Sequence, residues 1–283
     1  MGVSYMLDHL VIAVSNLSQA IDDYKLLGFN VVIGGKHMHA PTQNALIYFS
    51  DGTYLELIEW TDPAPGEKWY ERLTTQGEGL VDFAVVPSQI TRAITNARAG
   101  KVLYRGPIGG SRIKPTGEHI LWQLGWPNSN ALPFLCGDIT PRSLRVPEGE
   151  VRKHQNNASG ISSVAIRVND LGKSAKDYRA LLGSHFDGAI RVTASLDAAG
   201  LEVLSLHMGS TQLHLVSPSA QSETAPARAM REGLKLKGEG AYCIHISGVG
   251  NTVSLRDVSE LTHGVPIIFS DTRLTLIQQV INF

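Results

Sequence analysis

The stretch "LDHLVIAVSNLSQAIDDY", residues 7–24, decides the fold. In its first half Leu10, Ile12 and Val14 form the larger apolar face of a strand, so His9, Val11 and Ala13 turn the other way. In its second half Leu17, Ile21 and Tyr24, continued by Leu27, recur at helical spacing until Gly28 stops the helix. The strand's apolar face packs under that helix. His9 is left on the uncovered side, and the reason for an imidazole there is the question the rest of the chain answers.

Outward from this stretch the same unit recurs. Three short strands follow, "NVVIGG" (30–35), "NALIYFS" (44–50) and "YLELIEW" (54–60), the last two joined by a turn at Asp51 to Thr53. The order strand, helix, strand, strand, strand repeats with "LVDFAVV" (80–86), "SQITRAITNARAG", "KVLYRG", "HILWQLGW" and "LPFLCGDI". A third copy opens at "GISSVAIRV" (160–168) and continues through "DLGKSAKDYRALLG", "IRVTAS", "EVLSLHMG" and "TQLHLVS". A shorter fourth runs through "AYCIHISGV", "SLRDVSELTHG", "VPIIFSD" and "LTLIQQVINF". The aperiodic segment "TPRSLRVPEGEVRKHQNNASG", rich in Pro, Gly and charge, separates copies two and three. The expected organisation is an N-terminal domain over 1–145, a linker over 146–158 and a C-terminal domain over 159–283. The charges of "TPRSLR" and "VRKH" are read as a solvated face.

Composition narrows the function classes. At 283 residues the chain suits two domains, each with its own core. A net charge of -1 offers no electrostatic footprint for nucleic acid or an anionic membrane. Cys136 and Cys243 form no CxxC and fit a reducing compartment. No export signal or spanning segment is legible, which gives a cytoplasmic expectation. "GPIGG" and "GVG" lack the strand-to-helix context of a phosphate loop, so no nucleotide cofactor is expected. There is no GxSxG or Cys-His signature for a nucleophile either. The expected partner is a small-molecule substrate, and a homodimer is compatible with the pattern.

The Asp-His pair on the first strand, "GGKHMHAPTQN" and "YLELIEW" resemble the glyoxalase-like branch of the vicinal oxygen chelate superfamily. The likeness is specific over roughly the first 60 residues and mainly architectural after about 140. It implies an α+β fold in which βαβββ modules pair into two glyoxalase/bleomycin-resistance-like domains, each with a curved mixed sheet forming a cup. It also implies that strands one and four are neighbours, about 4.8 Å apart, and that a divalent metal sits on the cup floor about 2.1 Å from each ligand.

Strand parity turns Tyr54, Glu56 and Ile58 inward with His9, and Leu55 and Leu57 under the helix. Glu56 and His9 are therefore the catalytic candidates, as ligand or proton-transfer base and as polarising group. The bland alternative is a hydrogen-bonded buried pair. The second module lacks the superfamily's second His and Glu, which argues against a standard dioxygenase or glyoxalase. On "LVDFAVV", Val81, Phe83 and Val85 are read as helix-facing and Asp82 and Ala84 as inward, so the metal candidates are His9, Glu56 and Asp82. Gln123 and Cys136 are expected to share that face. Asn44, Tyr48, Tyr54 and Gln123 are candidate substrate contacts, although Asn44 is equally suited to closing its turn with Thr42. His37 and His39 lie near the rim, as a third ligand, a general base or solvated side chains, with His37 the closer match to the family's position. The tryptophans read as core or rim packing, or as a surface for a flat ligand.

In the third and fourth copies Ser163 stands where His9 does and His214 where Glu56 does. His214, Cys243 and His245 suit zinc if they converge, and otherwise are satisfied core side chains in a lobe that covers the first. The function this supports is lyase or isomerase chemistry on a small oxygenated molecule by proton transfer, with divalent-metal assistance. The rival is a non-catalytic protein that sequesters a toxin or antibiotic.

Overall fold

The structure is a computed structural model and describes residues 3–192, 198–248 and 260–270. The N-terminal half runs β1 (Tyr5–Ala13), α1 (Leu17–Leu26), β2 (Val32–His37), β3 (Thr42–Tyr48), β4 (Tyr54–Trp60), α2 (Lys68–Gln76), β5 (Gly79–Pro87), α3 (Ile90–Ala99), β6 (Tyr104–Ile113), β7 (His119–Pro127), β8 (Phe134–Asp138) and α4 (Arg142–Arg145). The C-terminal half runs β9 (Gly160–Arg167), α5 (Leu171–Leu182), β10 (Ile190–Val192), β11 (Leu201–Met208), β12 (Thr211–Pro218), α6 (Ala225–Lys237), β13 (Gly240–Ser247) and β14 (Ile267–Ser270).

The first eight strands close on themselves in the order β1-β4-β3-β2-β6-β7-β8-β5, and the remaining six form an open sheet, β10-β11-β12-β9-β13-β14. Closure follows from the repeat: β1 pairs in parallel with β4 of its own module and antiparallel with β5 of the next. Leu10, Ile12, Leu55 and Leu57 are fully buried in one core with Ala20 and Tyr24 of α1. That core continues through α3 and α5 into Ile161, Val164 and Leu213 of the second sheet, so the helical layers of both halves are packed together. Truncating one such leucine to alanine costs about 2–5 kcal/mol. α1 starts where the Asn16 side chain accepts the Gln19 amide and ends before Gly28, whose φ of 86° a side chain would disfavour.

Three features depart from the sequence reading. Helices α2 and α6 follow the fourth strands of copies one and three, where no element was expected. The "TPRSLR" segment is not a solvated face throughout, because Arg145 is only 3% exposed and paired inside the barrel end. The segment after it is also tied down, since His154 meets the Tyr48 carbonyl at 2.9 Å and accepts the Asn30 amide at 2.9 Å. The last expected strand, "LTLIQQVINF", and most of the helix expected before β14 lie outside the described residues. Among the described residues no helix is long and apolar enough to cross a membrane.

Candidate active site

The closed sheet encloses a cavity of about 830 Å³, a size that suits a drug-sized organic molecule. His9 reaches it by a local irregularity. Between Leu7 and His9 the register of β1 against β5 slips, so Asp8 has no partner on β5. Leu7 and Leu10 both stay on the helix side, while Asp8 and His9 meet, Asp8 Oδ2 lying 2.8 Å from His9 Nδ1. Bulges are used in this way to re-aim side chains next to functional sites.

Asp8 is fully buried and charged. Burial would push its carboxyl up, but Arg145, His9 and Arg142 together outweigh this and hold it well below the usual carboxylate range. An ionised carboxylate only accepts, so His9 Nδ1 carries the hydrogen. In a neutral imidazole Nε2 is then an acceptor, and it faces Glu56 Oε2 at 3.5 Å. At that distance the pair stands at the edge of hydrogen-bond reach, so a proton placed on either group would be aimed at the other. The ring is fixed further by Tyr54, stacked at 4.5 Å, and by Phe134, edge-on at 5.3 Å.

Glu56 is held from its other side. Asn44 Nδ2 donates to Glu56 Oε1 at 2.6 Å, and His37 Nε2 stands 3.7 Å from the same oxygen. His37 is oriented through Nδ1 and the Thr42 hydroxyl at 2.8 Å. Burial lowers the pKa of His37, with Arg112 and His9 adding to the effect and Glu56 opposing it, so its ring is neutral near pH 7.

The structure therefore brings His9, Glu56, Asn44, His37 and Tyr54 to one wall of the cavity, with His39 at its rim. Other expected residues fall elsewhere. Gln123 lies on the opposite face of β7, because Trp122 and Leu124 take the inward positions. Tyr48 does not line the cavity: its hydroxyl donates to the Arg145 carbonyl at 2.9 Å and receives Arg112 Nη2 at 3.4 Å, which makes it a brace behind the wall. Asp82 is occupied by Lys68 Nζ at 2.7 Å and Trp69 Nε1 at 3.0 Å, away from His9 and Glu56. A register slip at Val81 also places that residue in the interior cluster, not under the helix. Cys136 lines the cavity, but burial pushes its thiol well up, out of nucleophilic range.

Sequence reasoning missed Asp8, Arg112 and Arg145, and the Trp69 contact with Asp82. The available signal for Asp8 was an acid on the strand face that parity assigns to the helix. For Arg145 it was a charged run beginning immediately after the last barrel strand.

A model of the glyoxalase-like domain matches residues 7–182, well over half of the chain. The chain belongs to the glyoxalase-like domain family. Human mitochondrial methylmalonyl-CoA epimerase is 28% identical over 141 residues, covering 46% of this chain and 77% of the epimerase. Among solved structures, a hypothetical protein from Staphylococcus aureus superposes with a TM-score of 0.65 at 13% identity, over 94% of this chain and 99% of its own. A mutant 4-hydroxymandelate synthase from Streptomyces coelicolor gives 0.57 at 12% identity, over 92% and 76%. These two share the fold. The glyoxalase-like family model, which covers most of the chain, places it in the vicinal oxygen chelate superfamily.

Members of that superfamily commonly use a divalent metal. The donor set here does not fit the superfamily's arrangement. His9 and Glu56 supply the first module's donors, but β5 offers Ala84 opposite His9, and Ala84 is paired with Phe134 of β8. Among the described residues no group of three His, Cys, Asp or Glu side chains is placed to hold a metal ion. His214, Cys243 and His245 do not form one either: the first is hydrogen-bonded to Ser205 at 2.8 Å and the last to Ser162 at 2.7 Å.

Proposed function

We propose that this glyoxalase-like protein is an isomerase or lyase that moves a proton at a carbon beside a carbonyl or carboxyl group. The observation that carries this reading is the His9–Glu56 pair, a ring nitrogen and a carboxylate oxygen 3.5 Å apart on the wall of a ligand-sized cavity. With a proton on His9 Nε2, Asp8 stabilises the imidazolium and Glu56 is a free base. Glu56 takes the C–H proton while His9 Nε2–H donates to the oxygen on which negative charge develops. Protonation at a different atom of the enolate, or on the opposite face of the same carbon, gives an isomer; losing a leaving group from the adjacent carbon gives elimination. Asn44 keeps Glu56 aimed, and neutral His37 guards its flank. The likeness to an epimerase over 141 residues supports the isomerase branch.

The test is solvent isotope exchange. In deuterated water, proton NMR of 2-oxo acids and substituted malonyl half-thioesters should show enzyme-dependent loss of the α-proton signal, abolished by Glu56→Gln without loss of fold. Exchange that survives Glu56→Gln would remove Glu56 from the mechanism. A second reading, sequestration without turnover, is favoured by one feature: Trp60, Trp69, Trp122 and Trp126 all line the cavity. It predicts tight binding with no exchange in any of these compounds.

A further inference from the structure

Two arginines of the barrel are equally buried, at 3% exposure, and differ in their company. Arg145 meets Asp8 and Asp138. Arg112, which lines the cavity, has five N–H donors and one long hydrogen bond, 3.4 Å from Nη2 to the Tyr48 hydroxyl. Among the described residues no carboxylate stands within ion-pairing distance of it. A guanidinium taken out of water without a counter-charge is costly, so its retention calls for an anion that arrives from outside.

The site is built to hold that cation in place. Tyr48 is fixed by the Arg145 carbonyl. Gly34 has no side chain, and a Cβ there would collide with both Arg112 Nη1 and Asn44 Oδ1, so both side chains lie against bare backbone. Asn44 Oδ1 is itself buried and unbonded beside it. Arg112 stands directly across from His37 on the paired strands β6 and β2, and His37 Nε2 is 3.7 Å from Glu56.

We propose that Arg112 anchors a carboxylate of the ligand, and that the substrate is a carboxylic acid with a bulky apolar body. One planar fork matches one carboxylate through two parallel hydrogen bonds. A phosphate would draw on further cations close to Arg112; of the others on the cavity wall, Lys68 is committed to Asp82 and Arg145 to Asp8, and Arg105 is solvent-exposed. An acid seated on Arg112 brings its neighbouring carbon toward Glu56, and the body extends along the four tryptophans. The substrate assignment rests on the proton-transfer reading, whereas the anchoring of the anion stands without it.

Because all four tryptophans of the chain line the cavity, their fluorescence reports its occupancy. Titration should show 4-phenylbutanoate binding at least about tenfold more tightly than 4-phenylbutanamide, its uncharged analogue. Arg112→Met should abolish that preference, and Arg112→Lys should retain part of it. Equal binding of acid and amide, no binding of 4-phenylbutanoate or octanoate at millimolar concentration, or a preference that survives Arg112→Met would each overturn the proposal. If Arg112→Met fails to fold, the acid-to-amide ratio of the unaltered protein decides alone. Acid preference without any Glu56-dependent isotope exchange would keep the anchor and remove the proton-transfer chemistry.

Discussion

The two halves of the chain repeat one pattern and use it oppositely. In the barrel, Val11 is paired with Glu56 across β1 and β4; in the second sheet, Ala165 is paired with His214 across β9 and β12. By that register Ser163 occupies the place of His9. The barrel's imidazoles turn a ring nitrogen toward a carboxylate in a cavity. The second sheet's His214 is fully buried and bonded to Ser205, among a cluster that includes Val203, Val216, Met230, Tyr242 and Ile268. The fold is thus indifferent to chemistry, and a few inward positions decide whether a cup lines a cavity with polar groups or fills as a core.

The strongest way to break this comparison is to neutralise each half at its matching position. Glu56→Gln should lower isotope exchange by about 10²–10⁴-fold, the usual range for removing a general base, with circular dichroism unchanged. Ser163→Ala, at the place that matches His9, should leave exchange within about twofold. A comparable loss in both variants would show that the second half takes part in turnover.

Stability should separate the halves next. Asp8 is fully buried and joins His9, the buried Arg145 and the partly exposed Arg142, so Asp8→Asn leaves two guanidinium groups short of a counter-charge and should cost about 3–5 kcal/mol in urea unfolding. Its folded pKa lies below the unfolded value near 3.9, so its contribution is complete above about pH 4 and is lost as pH falls through the folded value. The variant should therefore show a flatter acid limb than the unaltered protein. Ser205→Ala, which removes one hydrogen-bond partner of His214, should cost only about 1–3 kcal/mol and leave the acid limb as it is.

What the sequence revealed and concealed follows from the same contrast. Regular alternation in "LVIAV" and "YLELIEW" was enough to put His9 and Glu56 on one face, because period-two patterning survives wherever one side of a strand meets a helix. It failed at register slips. Asp8 and Val81 sit at such slips, and each faces the interior against its parity. Arg112 lies on β6, whose register against β7 shifts between Arg105 and Ile108 and whose glycines give no apolar pattern to read. Gln123 was misplaced because Trp122, Leu124 and Trp126, the larger side chains of β7, face the cavity and not the helix. A wall that binds an apolar ligand looks, in sequence, like a core.

The smallest effect probes the environments of two histidines. Burial lowers the pKa of His37 in the barrel and of His245 in the second half, so each contributes stability above the unfolded value near 6.5 that is lost as pH falls below it. The causes are not the same, since Arg112 is among the charges acting on His37, whereas burial is the leading cause at His245. Removing the guanidinium with Arg112→Met takes away a positive charge that disfavours the imidazolium, and the His37 pKa should rise. The His245 pKa should stay where it is. Following both ring signals by proton NMR between pH 5 and 8 reads the two shifts in one titration. If His37 does not move, its low pKa owes nothing to Arg112, and the charge across the β2–β6 pair is too well screened to steer an anion. If both move, the substitution has loosened the whole molecule and the two halves are coupled more tightly than their separate polar networks imply.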